Sequence, residues 1–491
     1  MLFNSTRFVF FFPIVVAAYF ALPFRFRWVL LLAASYYFYA CWRVEYSVLL
    51  IISTLVDYSA AIMMGRTAQK RVRRRYLILS IGANLGLLFV FKYYNFFRGA
   101  VAAGLSGVNV ACPLPVSHFL LPLGISFYTF QTMSYVIEVY RGRQRPEKHL
   151  GIFALYVSFF PQLVAGPIER SYNLLPQFAV GPFEKHRFDY DRVTNGMKLM
   201  AWGFFKKVVI ADRLAVIVDH VYGDPTQYEG FGLTLATVLF AFQIFCDFSG
   251  YSDIAIGAAQ VLGFKLMQNF RRPYFATSVA EFWRRWHISL STWFRDYVYI
   301  PLGGNRVALP RWYLNIIVVF LLSGLWHGAN WTFLVWGGLH AAYMLAGRAG
   351  RPVRERVAGA LGLTKRPRIE QGIRMLTTFA LVTFAWIFFR APSLSEALYI
   401  VRNLPSGWGV LLSPAQIVDT IGSMCSLPDF LFVLAMIVVM ECGHVLQARG
   451  NVIEFLAQRP VWVRWPVYSA LVWCIFLFGI FTHKEFIYFR F

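Results

Sequence analysis

Charge is scarce in this chain. Only 14% of its 491 residues are Asp, Glu, Lys or Arg, against about 25% in an ordinary soluble domain. That scarcity excludes a conventional water-soluble fold. Acids are scarcer still, with 24 Asp and Glu against 47 Lys and Arg. Cysteine is limited to Cys41, Cys112, Cys246, Cys425, Cys442 and Cys474, with no C-x-x-C pair. Neither a metal site nor a disulfide framework is indicated, and the six read as packing residues. No internal repeat is visible, direct or inverted. No small-residue cleavage site follows the first apolar run, so that run reads as a retained span.

What the chain has is apolar length. Hydrophobic residues make up 58% of it, and the mean hydropathy is +0.54. Runs such as "FVFFFPIVVAAYFALPF" (8–24), "YSVLLIISTLVDYSAAIMM" (46–64) and "VYSALVWCIFLFGIF" (467–481) recur along the sequence. A spanning helix needs about 20 apolar residues. Only helices and closed barrels satisfy their backbones in lipid, and these runs do not alternate as barrel strands do. The expectation is an all-α polytopic membrane protein with about 10–12 spans. It is read as a single integral domain, 1–491, with core motifs in 118–345 and C-terminal helices in 375–491. The most polar insertions are 169–195, 265–310 and 347–374.

The net charge of +23 raises nucleic acid as a partner, but its placement argues for the lipid bilayer instead. "GRTAQKRVRRR" (65–75) lies directly between two apolar runs, as short cytoplasmic loops do. Region 265–307 has seven basic residues and two acids, and 347–374 has eight and two. With both placed in the cytoplasm, the forty residues between them form a hairpin. Its turn falls in "LLSGLWHGANW" (321–331) and carries His327 away from the cytosol.

Several polar groups interrupt the apolar sequence. Gly324 and Gly328 flank His327 and are expected to leave space at its ring, with Asn330 as an amide partner and Trp326 beside it. A buried imidazole stays neutral and accepts a proton, as a general base must; an ordinary packed histidine is the bland alternative. In "SVAEFWRRWHISLSTWFRDYVYIPLGGNR" (278–306), Ser278 and Glu281 form a capping box. One interfacial helix is expected from there to Pro301 and the Gly303–Gly304 pair. It carries Arg285, Ser289, Thr292 and Asp296 on one stripe and turns His287 inward. In "FQIFCDFSGYSDIAIG" (242–257), Asp247 and Asp253 line a polar cavity or serve as a clamp, and Gly250 permits a bend. "FFPQLVAGPIER" (159–170) reads as a broken or re-entrant segment. Lys206 and Lys207 read as interfacial anchors.

These motifs, with "LPLGISFYTFQTMSYVIEVYRG" (121–142), "GLWHGANWTFLVWGGLHA" (324–341) and the closing "EFIYFRF", resemble the membrane-bound O-acyltransferases (MBOAT) over nearly the whole chain. The likeness is greatest to the bacterial branch that O-acetylates or D-alanylates cell-envelope polymers. It implies a ring of tilted helices with re-entrant segments and cytoplasmic amphipathic helices, in the bacterial inner membrane. It implies His327 as the catalytic histidine, which either deprotonates the acceptor hydroxyl or takes the acyl group transiently, and His287 as the second family histidine. Acetyl-CoA is implied as the donor, with no permanently bound cofactor and no metal. Its phosphates would meet Arg271, Arg272, Arg284 and Arg285, for which lipid anchoring is the alternative role. An extracytoplasmic SGNH-type acetyltransferase is the implied protein partner, and an alginate-like polysaccharide the final acceptor. D-alanyl transfer to teichoic acid and O-acetylation of peptidoglycan or cellulose are alternatives. Outside enzymes, a transporter would use His327, Asp247 and Asp253 as a proton relay; its inverted repeats are not seen.

Overall fold

The computed structural model describes residues 1–179, 187–450, 452–481, 486 and 487. Residues 180–186 of the first polar insertion, and most of the closing "EFIYFRF", lie outside the described residues. Every regular element among the described residues is helical. Seven of these helices are long and apolar enough to cross a membrane: Val44–Gly65, Lys70–Ser106, Gly230–Leu262, Leu309–His327, Pro367–Arg390, Leu427–Gln447 and Val461–Phe478. Other apolar stretches form shorter helices, such as Thr6–Ala21 and Ile125–Tyr140, each of 16 residues. Sequence hydropathy counts these as spans, but Pro and Gly end the helices early.

The chain divides into two compact units. The first holds Met1–Met200 and Tyr251–Gln268. There Ser47–Gly65, Lys70–Leu88 and Ile125–Tyr140 pack together. A buried polar knot joins the first two. Asp57 accepts from Ser80 Oγ at 2.5 Å and from Asn84 Nδ2 at 2.8 Å, and Ser53 Oγ donates to Asn84 Oδ1 at 3.1 Å. With no lipid group to hydrogen-bond, such a carboxylate must find its donors inside the protein. Residues 159–170 are buried throughout and hold only a four-residue helix, Phe160–Leu163. This is the broken segment expected from Pro161, Gly166 and Pro167.

The second unit, Ala201–Gly250 with Asn269–Phe491, contains the hairpin. Its arms are Leu309–His327 and Trp331–Ala349. Glycine sets how closely they pack. A Cβ on Gly324 would lie 2.3 Å from the Phe333 carbonyl oxygen, and one on Gly337 2.3 Å from that of Phe320. Both obstacles are backbone and cannot swing aside. Gly337→Ala is therefore expected to destabilise the fold by about 1–3 kcal/mol. Gly338→Ala, with nothing within 4 Å of the added carbon, is the matched control. Thermal unfolding in detergent checks the difference.

Gly250 does not bend its helix. Gly230–Leu262 runs unbroken for 33 residues. The missing side chain instead admits the Gly203 carbonyl oxygen, which would be 2.8 Å from a Cβ.

Candidate active site

His327 is the last residue of the first hairpin arm. Gly328 leaves the helix in extended conformation, and Asn330 starts the second arm by accepting from the Thr332 N–H at 3.1 Å. Its side-chain Nδ2 donates to the Pro392 carbonyl at 3.0 Å. The amide expected to partner the imidazole is thus a helix cap, because a side-chain acceptor is needed where a helix starts with unpaired N–H groups. The space expected at the ring from Gly324 and Gly328 is likewise filled. Phe333 occupies it, with ring carbons 2.1 Å from where a Gly328 Cβ would stand.

Around the buried His327 ring stands an aromatic shell. Trp326 and Trp336 have ring centroids 5.0 Å away, and Phe389 5.2 Å away. His287 approaches to 6.4 Å. Two histidines forty residues apart in sequence therefore share one apolar enclosure.

The route to His287 differs from the single helix read in the sequence. The cap is as expected: Ser278 Oγ accepts from the Glu281 N–H at 3.2 Å. Glu281 reaches back to the Thr277 N–H and hydroxyl, at 2.8 and 2.7 Å. Burial opposes the charge on Glu281, but these Thr277 donors and Arg285 outweigh it and hold the carboxyl below its usual range. The helix then stops at Arg285 and a second begins at Ile288. Between them His287 takes φ +42°, the left-handed region. Asn269 locks the break: its carbonyl accepts from the Ile288 N–H at 2.9 Å, and its Oδ1 accepts from the Ser289 hydroxyl at 2.9 Å. Sequence periodicity has no signal for a two-residue break, Trp286 and His287, imposed by the non-helical segment that carries Asn269, so the polar stripe from Arg285 to Asp296 is not one helix face.

His287 lies outside the seven long apolar helices and is fully buried, 4.6 Å from the Phe248 ring. Burial pushes its imidazole down to about 3, so the ring is neutral at ordinary pH. The left-handed backbone gives a test. His287→Gly and His287→Ala both empty the place of the buried ring and should both lose stability, with His287→Ala about 1 kcal/mol the less stable of the two because it adds left-handed backbone strain that glycine lacks. Melting curves of the two variants check it.

The arginines adjoin this break. Arg271 N–H donates to the Arg285 carbonyl at 2.9 Å, and Arg285 to the Arg272 carbonyl at 3.3 Å. Arg271 and Arg284 are exposed, while Arg272 and Arg285 are half-buried. Arg285 is paired to Glu281 at 2.5 Å.

Lys206 and Lys207 are not interfacial anchors. Both are buried, at 3% and 2% exposure. Lys207 bridges Asp212 at 2.9 Å and Asp247 at 2.6 Å, and Lys206 donates to Ser249 at 2.9 Å. A π-helical turn, Phe205–Ala211, turns both toward the long helix. Asp247 also accepts the Ile487 backbone N–H at 2.9 Å. It is an ion-paired clamp, the second of the two roles open in the sequence. Asp253, half-buried, belongs to the other compact unit.

Residues 149–389, which include both histidines, match the model of "MBOAT, membrane-bound O-acyltransferase family". The probable alginate O-acetylase AlgI of Azotobacter vinelandii is 41% identical over 402 residues, covering 81% of this chain and 76% of that protein. The chain belongs to the membrane-bound O-acyltransferase family. It is a multi-pass membrane acyltransferase. A peptidoglycan O-acetyltransferase of Helicobacter pylori is 33% identical across 100% of this chain and 98% of its own length. A teichoic acid D-alanyltransferase of Bacillus subtilis is 29% identical over 47% of this chain. The sequence motifs of this MBOAT protein mark both histidines but not His340, Trp336 or Trp386. The available signal was an imidazole one helical turn from a tryptophan inside "WTFLVWGGLHAAYML" (331–345).

Proposed function

We propose that this protein takes acetyl from cytosolic acetyl-CoA and delivers it across the bacterial inner membrane for O-acetylation of an exported, alginate-like polysaccharide. The observation that carries the reading is the pair of buried imidazoles 6.4 Å apart in one aromatic enclosure, with His327 at the turn of a helical hairpin whose first arm is long and apolar enough to cross a membrane. The alginate O-acetylase relatives name the chemistry.

A polymer outside the cell has no acetyl-CoA on its side, and the CoA phosphates cannot cross lipid. Arg271 and Arg284, exposed, hold those phosphates at the cytoplasmic face, with Arg272 and Arg285 behind them. His327 then acts as general base. It takes the proton of the acceptor hydroxyl as that oxygen bonds to the acetyl carbonyl carbon. The carbon–sulfur bond breaks, and the leaving thiolate takes the proton from the imidazolium. The direct acceptor is a hydroxyl of an extracytoplasmic SGNH-type partner, which passes acetyl to the glycan. His287 supports the same centre. Asp247, held by Lys207 and the Ile487 N–H, is poorly suited to a proton relay.

A second reading, peptidoglycan O-acetylation, is favoured by the full-length match to the Helicobacter protein. One experiment separates them. In a gene-deletion strain complemented with wild type or His327→Ala, ester-linked acetate is measured on exported polysaccharide and on peptidoglycan. Acetate restored by wild type alone, on the exported polysaccharide, supports the first reading. Acetate restored on peptidoglycan supports the second. Equal acetate with both genes overturns the enzymatic role of His327.

A further inference from the structure

The shell around His327 contains donors without acceptors. Trp336 and Trp386 are fully buried and stack with centroids 5.9 Å apart. Their indole N–H groups have no hydrogen-bond partner among the described residues. His340 is also fully buried, 4.9 Å from the Trp336 ring. Trp283 Nε1 donates to its Nδ1 at 3.2 Å. An indole can only donate, so Nδ1 is the acceptor and the proton of this neutral ring sits on Nε2. That Nε2–H has no partner among the described residues either. Buried donors left unpaired cost free energy. Three in contiguous rings fit an uncharged ligand rich in carbonyl oxygens. They do not fit a cation, which would need acceptors.

We infer that Trp336 and His340 are substrate-contacting donors for a pantetheine thioester: Trp336 Nε1–H receives the thioester carbonyl oxygen beside His327, and His340 Nε2–H receives the first amide carbonyl of the arm. The inference rests on the acetyl-CoA reading above and deepens it. Its geometry comes from the helix. Trp336 and His340 are one turn apart on Trp331–Ala349, a rise of about 6 Å. In the pantetheine arm five bonds separate the thioester carbonyl carbon from the first amide carbonyl carbon, about 6 Å when extended. Trp336 is the donor next to His327, at 5.0 Å between ring centroids. It therefore meets the oxygen that gains negative charge on attack, where a donor acts on the transition state more than on the bound substrate. His340 meets an oxygen that does not change charge, so it acts on binding.

The test uses the purified full chain and two probes, S-acetylpantetheine and an alkyl thioacetate of equal length without amides, with thiol release as the readout. Trp336→Phe keeps an aromatic ring, though a smaller one, and removes the N–H. It is expected to lower kcat tenfold or more on both probes, with KM within threefold. His340→Leu is expected to raise KM tenfold or more for S-acetylpantetheine and less than twofold for the alkyl thioacetate. His340→Gln can accept from Trp283 and still donate, and should stay within threefold of wild type on both. An unchanged kcat in Trp336→Phe overturns the inference. So does an equal loss on both probes in His340→Leu, which marks a packing role. No thiol release from either probe by the unchanged protein overturns the acyl-transfer reading as well, so the two failures are told apart.

Discussion

Purified His327→Ala protein should release CoA from acetyl-CoA at least 100-fold more slowly than wild type, while its melting temperature stays close to the parent. The magnitude follows from general-base catalysis, which supplies roughly 10²–10⁴ in rate. Stability should change little for a physical reason. Trp336 and Phe389, with ring centroids 5.3 Å apart, keep their mutual contact when the imidazole goes, although the cavity left behind costs some packing energy. His327→Gln, which keeps a polar group of similar reach but is no base at neutral pH, should be equally slow. If either variant retains more than a tenth of the parent rate, the ring does not move the proton. Incubation with radiolabelled acetyl-CoA and denaturation before counting separates the remaining alternative, because an acetyl-histidine would carry label and a general base would not.

Lys207→Met should be the most damaging single substitution for folding. It leaves Asp212 and Asp247, both buried, facing one another without the cation that now sits 2.9 and 2.6 Å from them. Removing one partner of a buried ion pair costs about 3–5 kcal/mol. That is comparable to a large fraction of the total stability of a typical domain. Loss of monodisperse protein in detergent extracts is the expected result. The double variant Lys207→Met with Asp247→Leu should recover part of the yield, since neutral apolar groups of similar volume often replace a buried pair at little cost. Equal yields for the single and double variants would show that the pair's charge is not what matters there.

Much of this protein can be read from its residues. Apolar run length gives helices that cross lipid, because backbone groups there have no other partners. Basic loops on either side of residues 308–346 give the hairpin, and the hairpin puts His327 at its turn. The capping box at Ser278 is visible because its chemistry is local. What the sequence hides is tertiary. The left-handed His287 is set by Asn269, eighteen residues away. The burial of Lys207 depends on carboxylates, and that of Lys206 on the Ser249 hydroxyl, brought in by other turns of helix, and a basic pair beside an apolar run looks the same in sequence whether it meets headgroups or Asp247. The glycines around His327 read as room for its ring, yet Gly324 serves the approach of two backbones and Gly328 makes room for the Phe333 ring. The donors on Trp336, Trp386 and His340 go unnoticed because tryptophan in an apolar run looks like core.

The Asp247 clamp bears on how this protein can be handled in the laboratory. Its carboxylate takes the backbone N–H of Ile487, and Phe486 packs 5.4 Å from the Phe248 ring, itself beside His287. Topology is often mapped by cutting a gene at successive points and joining each fragment to a reporter enzyme. Here every fragment shortened before residue 486 lacks a piece of its own interior, so such reporters would register misassembly as well as sidedness. Cysteine labelling of the intact polypeptide is the sounder way to map it.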